Sequence, residues 1–291
     1  MKHIAEAAYA VEQMERYLKD MFQKSGRKDD VKKLWEHTYI SRQIDRRKNG
    51  ETFSVEDHIR GMVYSMLSSG GSWVKILKDI DEDTGKILPV DDIFHGYDPV
   101  WILSCSPEQL ESEIRNLHYS CRFLHRQIEA LISINIPKLL TFEKQGGSVD
   151  NYYHGMIGDS RKLGTLVRAL SKQGSHDKMK QMDAALVSEY LRNVGYDLPK
   201  PDRHIRRILG SQWLACSEQK IVPESEVFDI ITAISQRLNR SAAEVDYILW
   251  AYCADGYGEI CKKDNPKCGQ CTARKYCVTG QSEIDSESKE C

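Results

Sequence analysis

The chain has 291 residues and a formal charge of −2, with 41 lysines and arginines against 43 aspartates and glutamates. Hydrophobic residues make up 41% and charged residues 29%, which excludes a disordered or fibrous chain and fits one large domain or two modest ones. No apolar run approaches the roughly 20 residues that span a bilayer. We therefore expect no membrane partner and a cytoplasmic protein.

Helical periodicity begins near the N-terminus. Apolar residues recur at three- and four-residue steps over residues 4–21, which predicts a first amphipathic helix. Ser106, followed by a proline and two residues later by Gln109, forms a capping box that predicts another helix start. Its apolar face continues to Leu124 in the sequence. We therefore expect one helix from residue 107 to about residue 124.

The second half of the chain also shows helical signals. Residues 182–194 predict a helix that ends at Gly195, and a capping box at Ser241 predicts one more helix start. Alternation typical of a strand lasts no longer than residues 83–92. The predicted fold is all-α.

Charge is distributed unevenly along the chain. Residues 24–48 carry nine basic residues against four acidic ones, and residues 261–277 carry five against one. The segment 278–291 is acidic, and we predict that it is a disordered tail. Because charge runs are usually solvated faces, these counts alone give little support to a nucleic-acid partner.

Four of the nine cysteines lie within seventeen residues, spaced Cys261-x6-Cys268-x2-Cys271-x5-Cys277. Four thiols this close in a chain without secretory features are typical of metal ligands. Zinc modules usually present two separated Cys-x2-Cys pairs, and ferredoxins use Cys-x2-Cys-x2-Cys runs. The spacing matches neither pattern, so the residues alone predict a metal site and leave its metal open.

The same spacing, with Pro266 before the second cysteine, resembles the iron–sulfur loop of the endonuclease III branch of helix-hairpin-helix DNA glycosylases. The resemblance implies that the four cysteines hold a structural [4Fe–4S] cluster. It also implies that basic residues of this loop contact DNA phosphates. The matching residues are Lys262, Lys263, Lys267 and Arg274.

A second motif lies about 60 residues upstream, where Pro199-Lys200-Pro201 precedes Asp202 and His204. Taken alone, Asp202 is a favoured helix N-cap worth about 1 kcal/mol. The helix–Gly–turn–Asp-x-His layout also resembles the segment that carries the catalytic aspartate of the same glycosylases. A fixed carboxylate can stabilise the positive charge that develops on the sugar and can orient water. Expected phosphate contacts nearby are Lys200, Arg203 and Arg206.

Residues 56–73 resemble the first helix of the family's six-helix domain and the loop that follows it. The glutamine that family members insert into DNA is replaced by Gly70. Ser72 and Trp73 remain candidates for the base pocket or the DNA wedge.

The family's hairpin is the largest departure. Counting back from Asp202 places residues 179–185 at this turn, which lacks both glycines that hold a phosphate. The position of the family's lyase lysine falls on Ala184 or Ala185, so we expect no Schiff-base chemistry. Lys180 is a candidate DNA contact.

The resemblance implies two helical domains with a DNA-binding cleft between them: residues 54–198 as a six-helix domain, and residues 1–53 with 199–277 as the iron–sulfur domain. It implies a monomeric, monofunctional glycosylase that excises a damaged or modified base from double-stranded DNA at the nucleoid. The alternative is a catalytically degenerate DNA-binding relative. An electron carrier is poorly supported, because carriers are usually small.

Overall fold

The computed structural model describes residues 3–69, 71, 73–119, 123–157 and 162–287. Within these ranges the regular structure is helical, apart from an isolated bridge between Ile80 and Ile87, which confirms the predicted all-α fold. No helix among them is both long enough and apolar enough to cross a membrane.

The helices are given in chain order. The first nine are α1 (Ile4–Lys24), α2 (Lys28–Val31), α3 (Tyr39–Lys48), α4 (Val55–Leu67), α5 (Trp73–Leu77), α6 (Leu88–Ile93), α7 (Pro99–Ser104), α8 (Pro107–Asn116) and α9 (Leu124–Ala130). A π-helical turn, Leu131–Asn135, joins α9 to α10. The others are α10 (Ile136–Gly146), α11 (Val149–Ile157), α12 (Leu163–Ser171), α13 (Ala184–Asn193), α14 (Arg203–Ile208), α15 (Glu224–Leu238), α16 (Ala242–Cys253) and α17 (Val278–Glu287).

The chain divides into two compact units. The terminal unit contains Met1–Trp35 and Asp197–Cys291, and the central unit contains Glu36–Tyr196. The sequence placed the first boundary at residue 54, whereas α3 lies in the central unit. A hydrogen bond holds α3 in this unit: the Arg47 guanidinium on α3 donates to the Val194 carbonyl at 2.6 Å, which fixes α3 beside the end of α13.

In the terminal unit, α1 packs against α15 and α16, and α14 packs against α16. Val11 of α1, Ile230 of α15 and Leu249 of α16 are fully buried. The apolar positions of α1 that predicted an amphipathic helix therefore form part of this core, because their three- and four-residue spacing places them on one face.

In the central unit, α13 packs against α4, α12 and α3. Gly61 allows the close approach of α4, since a Cβ atom there would lie 3.1 Å from a methyl carbon of Val194. Asn193 continues the contact by donating from its amide to the Gly61 carbonyl at 3.1 Å.

A buried polar network connects four elements of the central unit. Asp150 accepts from Arg47 at 2.9 Å and from the Tyr196 hydroxyl at 3.0 Å. Its carboxylate is 3.5 Å from His58, whose other ring nitrogen is 2.6 Å from the Tyr190 hydroxyl. Burial alone would raise the pKa of Asp150, but the hydrogen bonds and charges of His58 and Arg47 hold it well below its usual range.

One predicted helix differs from the structure. The helix expected to reach Leu124 ends at Asn116, because His118 has a left-handed backbone (φ 62°) that stops it, and α9 begins at Leu124. The segment 83–92, where strand-like alternation was longest, forms a turn around residue 84 and then the start of α6, in keeping with the all-α fold.

The C-terminal segment also differs from the prediction of a disordered tail. Val278–Glu287 forms α17, and residues 288–291 lie outside the described part of the chain. The Val278 amide donates to the Trp213 carbonyl at 2.9 Å, and the Thr279 amide donates to the Gln212 carbonyl at 3.2 Å. These bonds satisfy amides at the start of α17, which the acidic composition of the segment did not indicate.

Replacing Gly195 with alanine is expected to destabilise the central unit strongly. Gly195 has φ +81°, and a Cβ there would meet the Gln43 carbonyl oxygen. The left-handed backbone costs about 1–2 kcal/mol, and the clash adds about 1–3 kcal/mol. Gly147→Ala is the matched control, since Gly147 has φ +77° and open space around it. Urea unfolding of both variants measures the difference; equal losses would contradict the predicted clash.

Candidate functional site

The four cysteines of the spaced motif line one cavity in the terminal unit. The cavity is small, about 20 Å³, and opens to solvent. Cys261 and Cys268 are buried, and Cys271 and Cys277 are half-buried. Apolar residues complete the wall, among them Met14, Ile208, Trp213 and Ala273. Within the described ranges, no three cysteine, histidine or acidic side chains gather closely enough to hold a single metal ion.

Polar groups reach three of these thiols. The Cys277 sulfur accepts from the Gly280 and Thr279 amides, and the Cys271 sulfur accepts from the Ala273 amide. The Tyr252 hydroxyl is 3.4 Å from the Cys271 sulfur. N–H groups directed at sulfur stabilise its thiolate form, which is the form that binds metals.

Arg207 supplies the polar contact at Cys261. Its guanidinium donates to the Cys261 carbonyl, also contacts the Cys261 thiol, and lies over the Trp213 ring at 4.9 Å. The guanidinium nitrogen Nη1 is buried and has no hydrogen-bond partner within the described residues. A buried cation therefore has spare donor capacity beside a cysteine of the cavity.

Burial nevertheless keeps the thiols protonated. The hydrogen bond with the Cys253 thiol, together with burial, raises the pKa of Cys261 well above its usual value. Burial raises the pKa of Cys277 to about 11 and also raises that of Cys271. Any metal that binds here must displace protons from these thiols.

The basic residues of the cysteine loop are partly neutralised. Lys262 lies 2.7 Å from Asp255 and 3.6 Å from Glu259, and Lys267 lies 3.9 Å from the same glutamate. Lys263 is exposed. The sequence counted these lysines as a net positive patch, but the two acids lie before Cys261 in the chain and became partners only through folding.

Asp202 is the N-cap of α14, as its position in the sequence suggested. One carboxylate oxygen, Oδ1, accepts from the amides of His204 at 2.8 Å and Ile205 at 3.1 Å. Neither capping bond uses Oδ2. The side chain is half-buried, and the two capping bonds fix the orientation of the carboxylate.

The segment before Asp202 is anchored to α16 by two acids. The buried Asp246 accepts from the Lys200 amide at 2.9 Å. Asp197 accepts from the Ser241 hydroxyl at 2.7 Å and from the Ala243 amide at 2.9 Å, which caps α16 from outside. Pro199 lies between these anchors and Pro201 follows the second, so the backbone that carries Asp202 is rigid.

Of the arginines on α14, only Arg203 is exposed. Its Nε is 3.4 Å from the imidazole of His204, and burial lowers the pKa of that histidine. Arg206 instead donates to the Val222 carbonyl at 2.7 Å and lies 3.7 Å from Glu224. Of these two predicted phosphate contacts, Arg206 therefore has an internal role.

The structure brings the Asp202 region and the start of the cysteine loop together at Asp255. The hydrogen bond from Lys262 lowers the pKa of the Asp255 carboxyl, and the charges of His204 and Arg203 contribute. Arg274, by contrast, is half-buried at the cavity wall. Among the predicted DNA contacts of the terminal unit, Arg203, Lys263 and Lys267 are exposed, whereas Arg206 and Arg274 are half-buried.

The hairpin position forms no glycine turn. Residues 172–183 make a long connection between α12 and α13, in which Gln181 has φ 57°. Asp183 caps α13 by accepting from the Leu186 amide at 2.9 Å. A carboxylate at this helix start disfavours a phosphate there. The exposed Lys180 has its amide and carbonyl bonded to the Asn135 side chain.

Lys178 contributes to the stability of this connection. Its ammonium donates to the Ser171 carbonyl at 2.6 Å and to the Met182 carbonyl at 3.2 Å. Burial lowers its pKa. The ammonium thus connects the end of α12 to the segment that leads into α13.

Of the wedge candidates, Gly70 and Ser72 lie outside the described residues. Trp73 begins α5 and is half-buried. Its position neither supports nor opposes a contact with a base.

Sequence reasoning missed two residues of the cavity region, Tyr252 and Cys253. The Tyr252 carbonyl accepts from the Ile260 and Cys261 amides at 3.0 and 3.2 Å. Cys253 lies only eight residues before Cys261. Its closeness in sequence to the first spaced cysteine was the available signal.

Comparisons with known proteins give one structural similarity. No protein-family model matches the chain, and no curated protein matches it by sequence. Among solved structures it is similar to the 8-oxoguanine glycosylase/lyase of Methanocaldococcus jannaschii, crystallised with a 15mer DNA containing 8-oxoguanine. The identity is 17%, the TM-score is 0.46, and the match covers 82% of this chain and 95% of the other.

Asp202→Ala is expected to lower the free energy of unfolding by about 1 kcal/mol, because two capped amides lose their acceptor. Asp202→Asn should cost only a few tenths, since asparagine is an equally good cap. Asp183→Ala removes a comparable cap from α13 and should cost a similar amount. Urea unfolding of the three variants tests the assignment; an Asp202→Ala variant as stable as the unmodified chain would show that the cap contributes nothing.

Proposed function

We propose that this protein is a monofunctional DNA glycosylase of the helix-hairpin-helix superfamily, which removes a damaged or modified base from double-stranded DNA. The observation that carries the proposal is the Asp202 carboxylate, with Oδ1 fixed by two amides and Oδ2 used by neither. In this proposal the protein acts as a monomer in the cytoplasm, at the nucleoid.

The chemistry requires a carboxylate of this kind. When an N-glycosidic bond breaks, positive charge develops on the sugar, and a fixed anion stabilises that charge without reorganising. The same oxygen can orient the attacking water. The anchors at Lys200 and Asp197 hold Asp202 in place, so the carboxylate is preorganised before substrate arrives.

We further propose that Cys261, Cys268, Cys271 and Cys277 hold a [4Fe–4S] cluster. The proposal rests on the spacing of the four cysteines and on the fact that all four line one cavity. In the described part of the chain their sulfurs are not gathered into a metal site, so binding would have to draw the thiols together. When bound, the cluster supplies a rigid cross-link between the ends of the cysteine loop.

The absence of a lyase step is part of the proposal. Ala184 begins α13, where the family's lyase lysine would fall, and the nearby Lys178 ammonium is bonded to two carbonyls. A lysine held in this way is a poor nucleophile, because its nitrogen must lose a proton and both bonds before it can attack.

The second candidate is a DNA-binding relative without excision activity. The specific observation in its favour is the hairpin, where Asp183 occupies the helix start that would otherwise hold a phosphate. Asp202 is compatible with this alternative as a cap alone. Excision assays separate the two candidates directly.

In a panel of duplexes that each carry one lesion, cleaved at abasic sites with alkali, the protein is expected to excise at least one base. Asp202→Asn should lower that excision by roughly two orders of magnitude or more and leave DNA affinity equal or slightly higher. Asp229→Asn removes a charge from the exposed surface of α15 and is the control. Undiminished excision by Asp202→Asn removes the proposed active site, and no excision of any lesion supports the DNA-binding alternative.

Borohydride should trap little covalent adduct between the protein and abasic DNA, since trapping requires an imine with a lysine. Lys178→Ala and Lys180→Ala are the diagnostic variants. Efficient trapping that disappears in either variant would locate a displaced lyase lysine and contradict the monofunctional assignment.

Protein purified without oxygen is expected to be brown, with iron and sulfide in equal amounts, and to lose iron when any of the four cysteines is replaced. The thiols release protons when they bind iron, and the pKa of Cys277 is raised to about 11. Iron bound at a fixed supply should therefore increase as the pH rises. One zinc and no iron would show that the site is mononuclear.

A further inference from the structure

Two acidic side chains face the lysines of the cysteine loop. Asp255 and Glu259 lie between the end of α16 and Cys261, and extending the charge count of the loop back to residue 255 adds two acids and no base. Lys262 is 2.7 Å from the Asp255 carboxylate and 3.6 Å from that of Glu259. Lys267 is 3.9 Å from the same Glu259 oxygen. Two of the lysines expected to contact phosphates are therefore already opposed by carboxylates.

The backbone holds Glu259 in this position. Its oxygen Oε1 accepts from the Gly256 amide at 2.7 Å, and its oxygen Oε2 is the one that faces both lysines. Glu259 has φ 54°, a left-handed conformation that residues with a side chain seldom adopt. The Gly256 carbonyl accepts at 2.7 Å from the ammonium of the buried Lys33. The carboxylate is thus fixed before any ligand arrives.

Asp255 connects this cluster to the start of α14. The hydrogen bond from Lys262 lowers the pKa of the Asp255 carboxyl, and the charges of His204 and Arg203 act in the same direction. The side chain of Asp255 is 82% exposed. An ion pair with so exposed a carboxylate is weak, so an anion from solution can replace it. The DNA backbone presents many such anions.

We propose that Asp255 and Glu259 compete with DNA phosphates for Lys262 and Lys267 and so weaken binding to undamaged DNA, a role that rests on the proposed DNA-binding function. A phosphate that approaches Lys262 has to displace a carboxylate at hydrogen-bonding distance. The displaced carboxylate stays close to the DNA and repels it. Binding to undamaged sequence is affected most, because it is almost wholly electrostatic.

Such an exchange of partners changes how binding depends on salt. A lysine that binds a phosphate releases condensed cations from the DNA, so log affinity falls against log salt by about 0.9 for each phosphate neutralised. A lysine that first leaves a carboxylate exposes a negative charge, which takes up a cation and offsets part of this release. The salt dependence is therefore shallower than the number of basic residues implies, and removing the carboxylate should steepen it.

The test uses the full chain and a short undamaged duplex labelled with fluorescein, whose anisotropy reports binding over a series of KCl concentrations. Asp255→Asn is expected to raise the affinity about two- to fivefold at low salt, the range that exposed ion pairs contribute. The slope of log affinity against log salt should steepen by up to about 0.9. Adding Glu259→Gln should enlarge both effects, and glutamine keeps an oxygen that can accept from the Gly256 amide.

Asp264→Asn is the matched control. Asp264 is an exposed acid of the same loop, and the ion pairs of Lys262 and Lys267 do not include it. Its replacement removes one negative charge without freeing a lysine, so it should raise the affinity less than Asp255→Asn does and leave the slope unchanged. Urea unfolding of each variant checks that the fold is retained.

Lys262→Met separates competition from simple repulsion. Where Asp255 already occupies the ammonium, losing that ammonium should cost little DNA affinity. In the Asp255→Asn background the lysine binds phosphate without a rival, so the same replacement should cost about two- to fivefold more. Additive effects would mean that the carboxylate only repels the DNA.

Each result decides the point. Unchanged affinity and slope in Asp255→Asn overturn the proposal, as does an Asp264→Asn variant that matches Asp255→Asn. Equal costs of Lys262→Met in the two backgrounds also overturn it. In these cases the unmodified protein still binds DNA, and the proposed function stands. A protein that binds no DNA at any salt concentration refutes both, so the two failures are distinguishable.

Discussion

Tyr252 fixes the cysteine loop to the helical scaffold through two different groups. Its carbonyl accepts from the amides of residues 260 and 261, and its hydroxyl accepts from the Thr272 amide at 3.1 Å and contacts Cys271. One buried residue at the end of α16 thus positions two of the four cavity cysteines, one through its backbone and one through its side chain. The loop has few apolar residues of its own, so this link and the proposed metal have to hold what a hydrophobic core would otherwise hold.

The same helix also positions Asp202. Asp246 on α16 binds the Lys200 amide, and Asp197 caps the start of α16. The candidate catalytic carboxylate and the cysteine cavity therefore depend on one scaffold within the terminal unit, at opposite ends of a single helix. A shift of α16 would move both. This coupling gives a physical reason why the proposed metal group would be purely structural in a protein whose proposed chemistry needs no electron transfer.

Several features of the fold followed from local sequence signals. The start of α1, the Ser106 and Ser241 caps and the end of α13 all agree with the structure, because periodicity and capping act over a few residues. Local sequence signals failed to predict the structure where it depends on residues distant in the chain. The acidic segment after Cys277 is helical because amides at its start bind carbonyls at residues 212 and 213.

For the candidate site, the sequence by itself determined which residue types were available: four cysteines at a characteristic spacing, and an aspartate at a helix start. Only the tertiary structure decided how they are used. It placed all four thiols on one cavity and brought Cys253 against Cys261. It also paired Lys262 with Asp255, so that a lysine predicted to bind DNA forms an ion pair at the protein surface. The sequence shows which side chains are available for a site. The partners and the burial of those side chains depend on contacts that form only when the helices pack.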